Sequence, residues 1–78
     1  MQSLSIKFEN PTEKEVEVKI YDVAGRLTKI LHKGFMNRDN TLMWHGDDEQ
    51  GKAVAPGVYF IRVKAPGGSI TEKIVKLR

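Results

Sequence analysis

The sequence predicts an all-β fold, an antiparallel β-sandwich of six to seven strands, and three observations carry that prediction. Short segments in which apolar and polar side chains alternate recur about every 8–14 residues. One turn grammar (Asp, two residues, Gly, a basic residue) occurs twice, at Asp22-Val23-Ala24-Gly25-Arg26 and at Asp48-Glu49-Gln50-Gly51-Lys52. No apolar pattern at helical spacing is long enough to compete. In each turn the Asp carboxylate is placed to accept from the backbone N–H two residues on. The Gly is placed to take the positive φ that a residue with a Cβ avoids. A type I turn followed by such a Gly makes a three-residue hairpin loop.

The elements follow in order. Leu4, Ile6 and Phe8 alternate with Ser5, Lys7 and Glu9, a half-buried strand closed by the turn residues Asn10-Pro11-Thr12. Val16, Val18 and Ile20 alternate with Glu15, Glu17 and Lys19, the cleanest amphipathic strand in the chain. Leu27, Ile30 and Leu31 fit either period, but the turn before them and Gly34 after them leave room for a strand paired with the second. Residues 34–40 read as a connection in which Phe35 and Met36 fold back over the core and Asn37-Arg38-Asp39-Asn40 turn. Leu42 and Trp44 alternate with Thr41 and Met43, and Trp44, the only Trp, is expected as a core anchor. Residues 46–56 are irregular, with room for a short seventh strand near Lys52-Ala53-Val54 and a type II turn at Ala55-Pro56-Gly57. In the strand that begins at Val58, Tyr59, Ile61 and Val63 share one face, while Val58 and Phe60 share the other until Arg62 and Lys64 replace them. That is the pattern of a central strand buried on both faces at its start. Ala65-Pro66-Gly67-Gly68 reverses the chain into a last strand holding Ile70, Ile74, Val75 and Leu77.

Seventy-eight residues make one domain, 1–78, whose core supplies only about 3–5 kcal/mol. There is no Cys, and His32 and His45 are the only histidines, so no zinc spacing and no disulfide exist. The net charge is +3. It is uneven: residues 9–22 hold five acids against two bases, and residues 62–78 hold five bases against one acid. A basic last strand suits an acidic partner, nucleic acid or anionic lipid, or simply protects an edge strand from aggregation. Asp47-Asp48-Glu49 could supply oxygen ligands to calcium, but the spacing is not that of an EF-hand, and a solvated turn capped by Asp48 is expected instead. The serines (Ser3, Ser5, Ser69) have no His or Asp partner nearby in sequence, so an enzyme is not expected, nor a cofactor or a small-molecule substrate. No basic and aromatic interleaving marks a stacking platform for nucleic acid.

Ile20-Tyr21-Asp22-Val23-Ala24-Gly25-Arg26-Leu27 resembles the signature of bacterial C-terminal immunoglobulin-like domains. So does the series Trp44, Gly46, Asp48, Gly51, Val54, Gly57 and Tyr59, and the close at Lys73-Ile74-Val75-Lys76-Leu77-Arg78 is similar to theirs. Two groups share the pattern: the sorting domains of type IX secretion and the immunoglobulin-like domain of flagellar hook-capping proteins. His45 departs from it, standing where an Asp is common. The resemblance implies an immunoglobulin-like sandwich excised from a larger exported protein. It implies a sorting module read by secretion machinery, on the cell surface or secreted by way of the periplasm. The stop at Arg78 favours sorting over the alternative, a structural or assembly domain of an extracellular enzyme or hook-cap protein that contacts its neighbouring domains. Lys73, Lys76 and Arg78 are the candidate partner-binding residues, and the edge strand that carries them could also pair two copies of the chain. Asp22, Gly25, Trp44, Gly46, Asp48, Gly51, Gly57 and Tyr59 are the structural motif, with Trp44 and Tyr59 packed between sheets and the Tyr59 hydroxyl on a backbone group.

Overall fold

A computed structural model describes residues 4–9, 15–36 and 39–77. Six strands form among them: β1 (Leu4–Glu9), β2 (Glu15–Asp22), β3 (Leu27–Phe35), β4 (Asp39–Trp44), β5 (Gly57–Ala65) and β6 (Gly68–Lys76). They make two antiparallel sheets, β1-β4 and β3-β2-β5-β6. Strand alternation selects what is buried. Val16, Val18 and Ile20 of β2 and Tyr59 and Ile61 of β5 share the inner face of the larger sheet. Trp44 and Leu42 of β4 lie over them, and Met36 closes the side between β3 and β4. Val18 and Ile20 are completely buried, and covering one such side chain contributes roughly 1.5–3 kcal/mol.

The hairpin between β2 and β3 turns through residues 23–25. Gly25 N–H donates to the Asp22 carbonyl at 3.0 Å and Asp22 N–H to the Arg26 carbonyl at 2.9 Å, while Gly25 sits at φ 84°. The paired strands carry two register shifts, one at Val18/Lys19 and one at Ile20/Tyr21. Such bulges add twist to a sheet.

Several expectations need correction. Gly34 does not end β3, which runs on to Phe35; Phe35 faces solvent while Met36 alone folds onto the core. Asp39 and Asn40 are strand rather than turn, because they pair with Glu9 and Phe8 of β1. The seventh strand is reduced to one bridge, Asp47 with Ala53. Gly57 has φ 150° instead of the value near +80° that a type II turn needs, so the chain enters β5 through a different positive-φ conformation that only Gly adopts readily. The start of β5 is not buried on both faces: Val58 stays 37% exposed, since no second layer covers that side among the described residues. The turns expected at Asn10-Pro11-Thr12 and Asn37-Arg38, and the side-chain directions of Leu4, Ile6 and Phe8, lie outside what is described.

Ile20→Ala is expected to lower the unfolding free energy by about 2–5 kcal/mol, enough to unfold much of a domain this small. Val23→Ala, at a turn position 76% exposed, should change it by less than about 0.5 kcal/mol. Urea unfolding followed by Trp44 fluorescence measures both.

Candidate functional site

Almost every residue of the sequence motif converges on one end of the sandwich, around the loop of residues 45–56. The loop leaves β4 at Trp44 and returns to the sheet at Gly57. Its tip repeats the first turn bond for bond. Gly51 N–H donates to the Asp48 carbonyl and Asp48 N–H to the Lys52 carbonyl. The Asp48 carboxylate accepts from the N–H groups of Gln50 and Lys52 at 2.9 and 3.0 Å. The Asp22 carboxylate does the same for Ala24 and Arg26, both at 2.9 Å, and also takes the Arg26 guanidinium at 3.0 Å. These hydrogen bonds favour the charged form, so both carboxyls titrate below their ordinary value of 3.8. For each, the largest cause is the backbone N–H four residues on.

Below the tip, Trp44 and Tyr59 meet edge to face with centroids 5.3 Å apart and planes at 66°. Each ring lends its polar atom to the loop: Trp44 Nε1–H donates to the Asp47 carbonyl at 2.9 Å and the Tyr59 hydroxyl to the Ala55 carbonyl at 2.6 Å. Burial, and to a smaller extent the Asp22 charge opposite it in the register, raises the Tyr59 pKa and keeps the hydroxyl a donor.

The loop is then anchored at both edges of the four-stranded sheet. On β3, the Lys29 ammonium binds the Asp47 carboxylate at 3.1 Å and the Asp48 carbonyl at 3.2 Å. The neighbouring Ile30 N–H donates to Glu49. On β6, the Lys76 ammonium donates to the carbonyls of Gly46 and Val54, two residues already joined by the Val54 N–H bond to Gly46. Gly46 permits this. It sits at φ 71°, and a Cβ there would stand 2.7 Å from Lys76 Cε.

This geometry sorts the candidate residues. Asp22, Gly25, Trp44, Gly46, Asp48, Gly51 and Tyr59 build turns and the end loop, and Gly57 opens β5 opposite Lys76. Lys76 is turned onto the loop and is not part of a basic outer face. Its pairing opposite Gly57 puts it on the inner side of β6, which sequence alternation alone could not reveal. Lys73 is exposed on the other side, and Arg78 lies outside the described residues. The acidic run has protein partners throughout: Asp47 has Lys29, Asp48 the turn amides, and Glu49 Ile30. Among the described residues no group of three or more His, Cys, Asp and Glu is placed to hold a metal. Sequence reasoning missed Lys29 and left Glu49 in a solvated turn, because their contacts join segments about twenty residues apart.

Gly46→Ala should destabilise the domain by about 1–3 kcal/mol, the cost of a side chain at this φ, and Lys76→Ala in the same chain should add less than it does alone. The difference, read from a double-mutant cycle in urea, is expected at about 0.5 kcal/mol or more. The two turn carboxylates make a separate prediction. Their folded pKa values lie below the unfolded value, so their stabilisation is present above pH 3.8 and is lost as pH falls through the folded values. Asp22→Asn with Asp48→Asn should flatten that acid limb in a pH series of unfolding curves.

The chain matches the family model of the FlgD Ig-like domain over residues 2–69. No curated protein and no solved structure matches it. The matched span holds both Asp–Gly turns, the Trp44–Tyr59 contact and the whole end loop, and the chain belongs to the FlgD Ig-like domain family.

Proposed function

We propose that this domain is a non-catalytic structural module that helps to assemble a hook-cap-like protein of the bacterial flagellum, outside the cytoplasm. One observation carries the reading: the signature side chains hold the domain's own end loop instead of lining a site for a substrate. The family match supports the hook-cap setting. A domain built this way acts through its surfaces on neighbouring domains or subunits, and it needs no cofactor.

A second reading, a sorting signal for type IX secretion, draws on β6. Among the described residues β6 pairs only with β5, so its outer edge offers backbone groups for strand addition. Lys73 is exposed on that strand.

A two-armed experiment separates the readings. Residues 1–78 replace the immunoglobulin-like domain of a hook-cap protein, and hook growth and swimming are scored against a deletion. The same residues are fused behind a periplasmic fluorescent protein in a bacterium with a type IX system. The assembly reading expects rescue in the first arm and retention of the reporter in the second. A folded graft that does not rescue overturns it. Reporter in the medium, abolished when the fusion stops after Gly68, establishes sorting instead.

A further inference from the structure

We infer that the outer face of the four-stranded sheet is a docking surface for an acidic polypeptide, one that sets carboxylates beside aliphatic side chains. The inner face is covered by β4 and the end loop. The outer face has no cover among the described residues, and the register arranges it in rows. Lys33, Glu17, Lys64 and Ser69 form the first row, and Ile30, Lys19, Arg62 and Thr71 the second. Leu27, Tyr21, Phe60 and Lys73 form the third, followed by Val58 beside Val75. Phe35 and Glu15 precede the first row at the far end, and from there the face runs from cationic to apolar along the strands.

Both halves lack a complement. Five cations face two carboxylates on this side, Glu17, which pairs with Lys19 at 3.1 Å, and Glu15, which lies beyond the first row opposite Phe35. Among the described residues Lys33, Lys64, Arg62 and Lys73 have no ion pair. At the apolar end Leu27 is 47%, Val58 37% and Val75 58% exposed. A shallow depression of about 310 Å³ joins the two halves, lined by Tyr21, Val23, Phe60, Arg62 and Thr71 among others.

Charge complementarity makes the occupant anionic, and the apolar rows make it a polypeptide. Base stacking needs open ring faces free of nearby negative charge, whereas Tyr21 and Phe60 are half-buried and Phe35, the exposed ring, stands beside the Glu15 carboxylate. Side chains about 4.8 Å apart within a row, and rows that repeat every second residue along the strands, match an extended chain or a second sheet. A lipid headgroup layer has no such order. Arg62, between Lys19 and Thr71 in its row, is placed to hold a carboxylate with two parallel N–H donors. The inference goes beyond the assembly reading and stands for any parent protein.

The test titrates the isotopically labelled full chain with a capped peptide of alternating Glu and Val and follows amide shifts by NMR. Saturable shifts are expected at Tyr21, Phe60, Arg62 and Lys73. The double variant Arg62→Glu, Lys73→Glu, both exposed positions, should bind roughly tenfold more weakly while its spectrum stays folded; a tenfold change corresponds to about 1.4 kcal/mol. Several outcomes overturn the inference: no saturable shift, shifts centred elsewhere, or equal binding of a Lys and Val peptide. Perturbation of this face by oligothymidine or phosphatidylglycerol vesicles but not by the acidic peptide overturns it as well.

Discussion

The contact on which the rest of this domain depends is that between Trp44 and Tyr59. A four-stranded sheet whose inner face is covered by a two-stranded one leaves an end open, and no helix among the described residues closes it. The two rings close it from both layers at once: Trp44 ends β4 of the smaller sheet and Tyr59 lies early in β5 of the larger. Because each ring also carries a donor, the contact fixes the loop above it through the carbonyls of Asp47 and Ala55. A pair of aliphatic side chains would fill the same space and leave both carbonyls to find other partners. An unpaired buried polar group costs about 1–3 kcal/mol, a large share of what such a core supplies.

The end loop shows how a short sequence without cysteine stabilises an irregular stretch. Its carbonyls and carboxylates are met by cations from opposite edges of the sheet, Lys29 on β3 and Lys76 on β6. Surface ion pairs contribute little in general, about 0–1 kcal/mol. Here the two lysines are partly buried, and they add a second donor to the Gly46 and Asp48 carbonyls, which already accept from the loop's own N–H groups. Opposite anchors also constrain the loop in both directions across the sheet, which a single one could not do. The same turn appears once as a true hairpin at Asp22 and once at Asp48 as the tip of this loop. One local device, an Asp that gathers two amides ahead of a positive-φ Gly, thus serves two different tertiary roles.

This division explains what was legible in the sequence. Turns are local: the Asp, the Gly and the amides they arrange lie within five residues, so Asp22 and Asp48 could be read directly. The alternation in β2 identified the inner faces of Val16, Val18 and Ile20, because a period of two is a property of one strand. Side-chain placement that depends on register was not legible. Lys76 reads as one more cation on a basic strand until its pairing opposite Gly57 turns it inward. Tyr21 and Phe60 are thirty-nine positions apart, and only the β2–β5 register sets them side by side. The bounds of β4 were misjudged for the same reason. Asn and Asp favour turns locally, and pairing with β1 overrides that preference at Asp39 and Asn40.

The separation of the recognisable residues from the chemically unsatisfied ones bears on function. The motif that defines the family is consumed by folding, so it identifies the architecture and cannot by itself identify a partner. What distinguishes one such domain from another must then lie in residues the motif leaves free. In this chain those are the cations and aliphatic groups on the outer face of the sheet. They sit on the central strands β2 and β5, each hydrogen-bonded to a neighbour on both sides, as well as on the edges. A backbone already held in a sheet needs no further ordering when it binds, and preorganisation of that kind raises affinity without enlarging the contact. The mild net charge of +3 conceals this arrangement, because Asp22, Asp47, Asp48 and Glu49 sit in the turns and the end loop while five cations share the outer face with only Glu15 and Glu17.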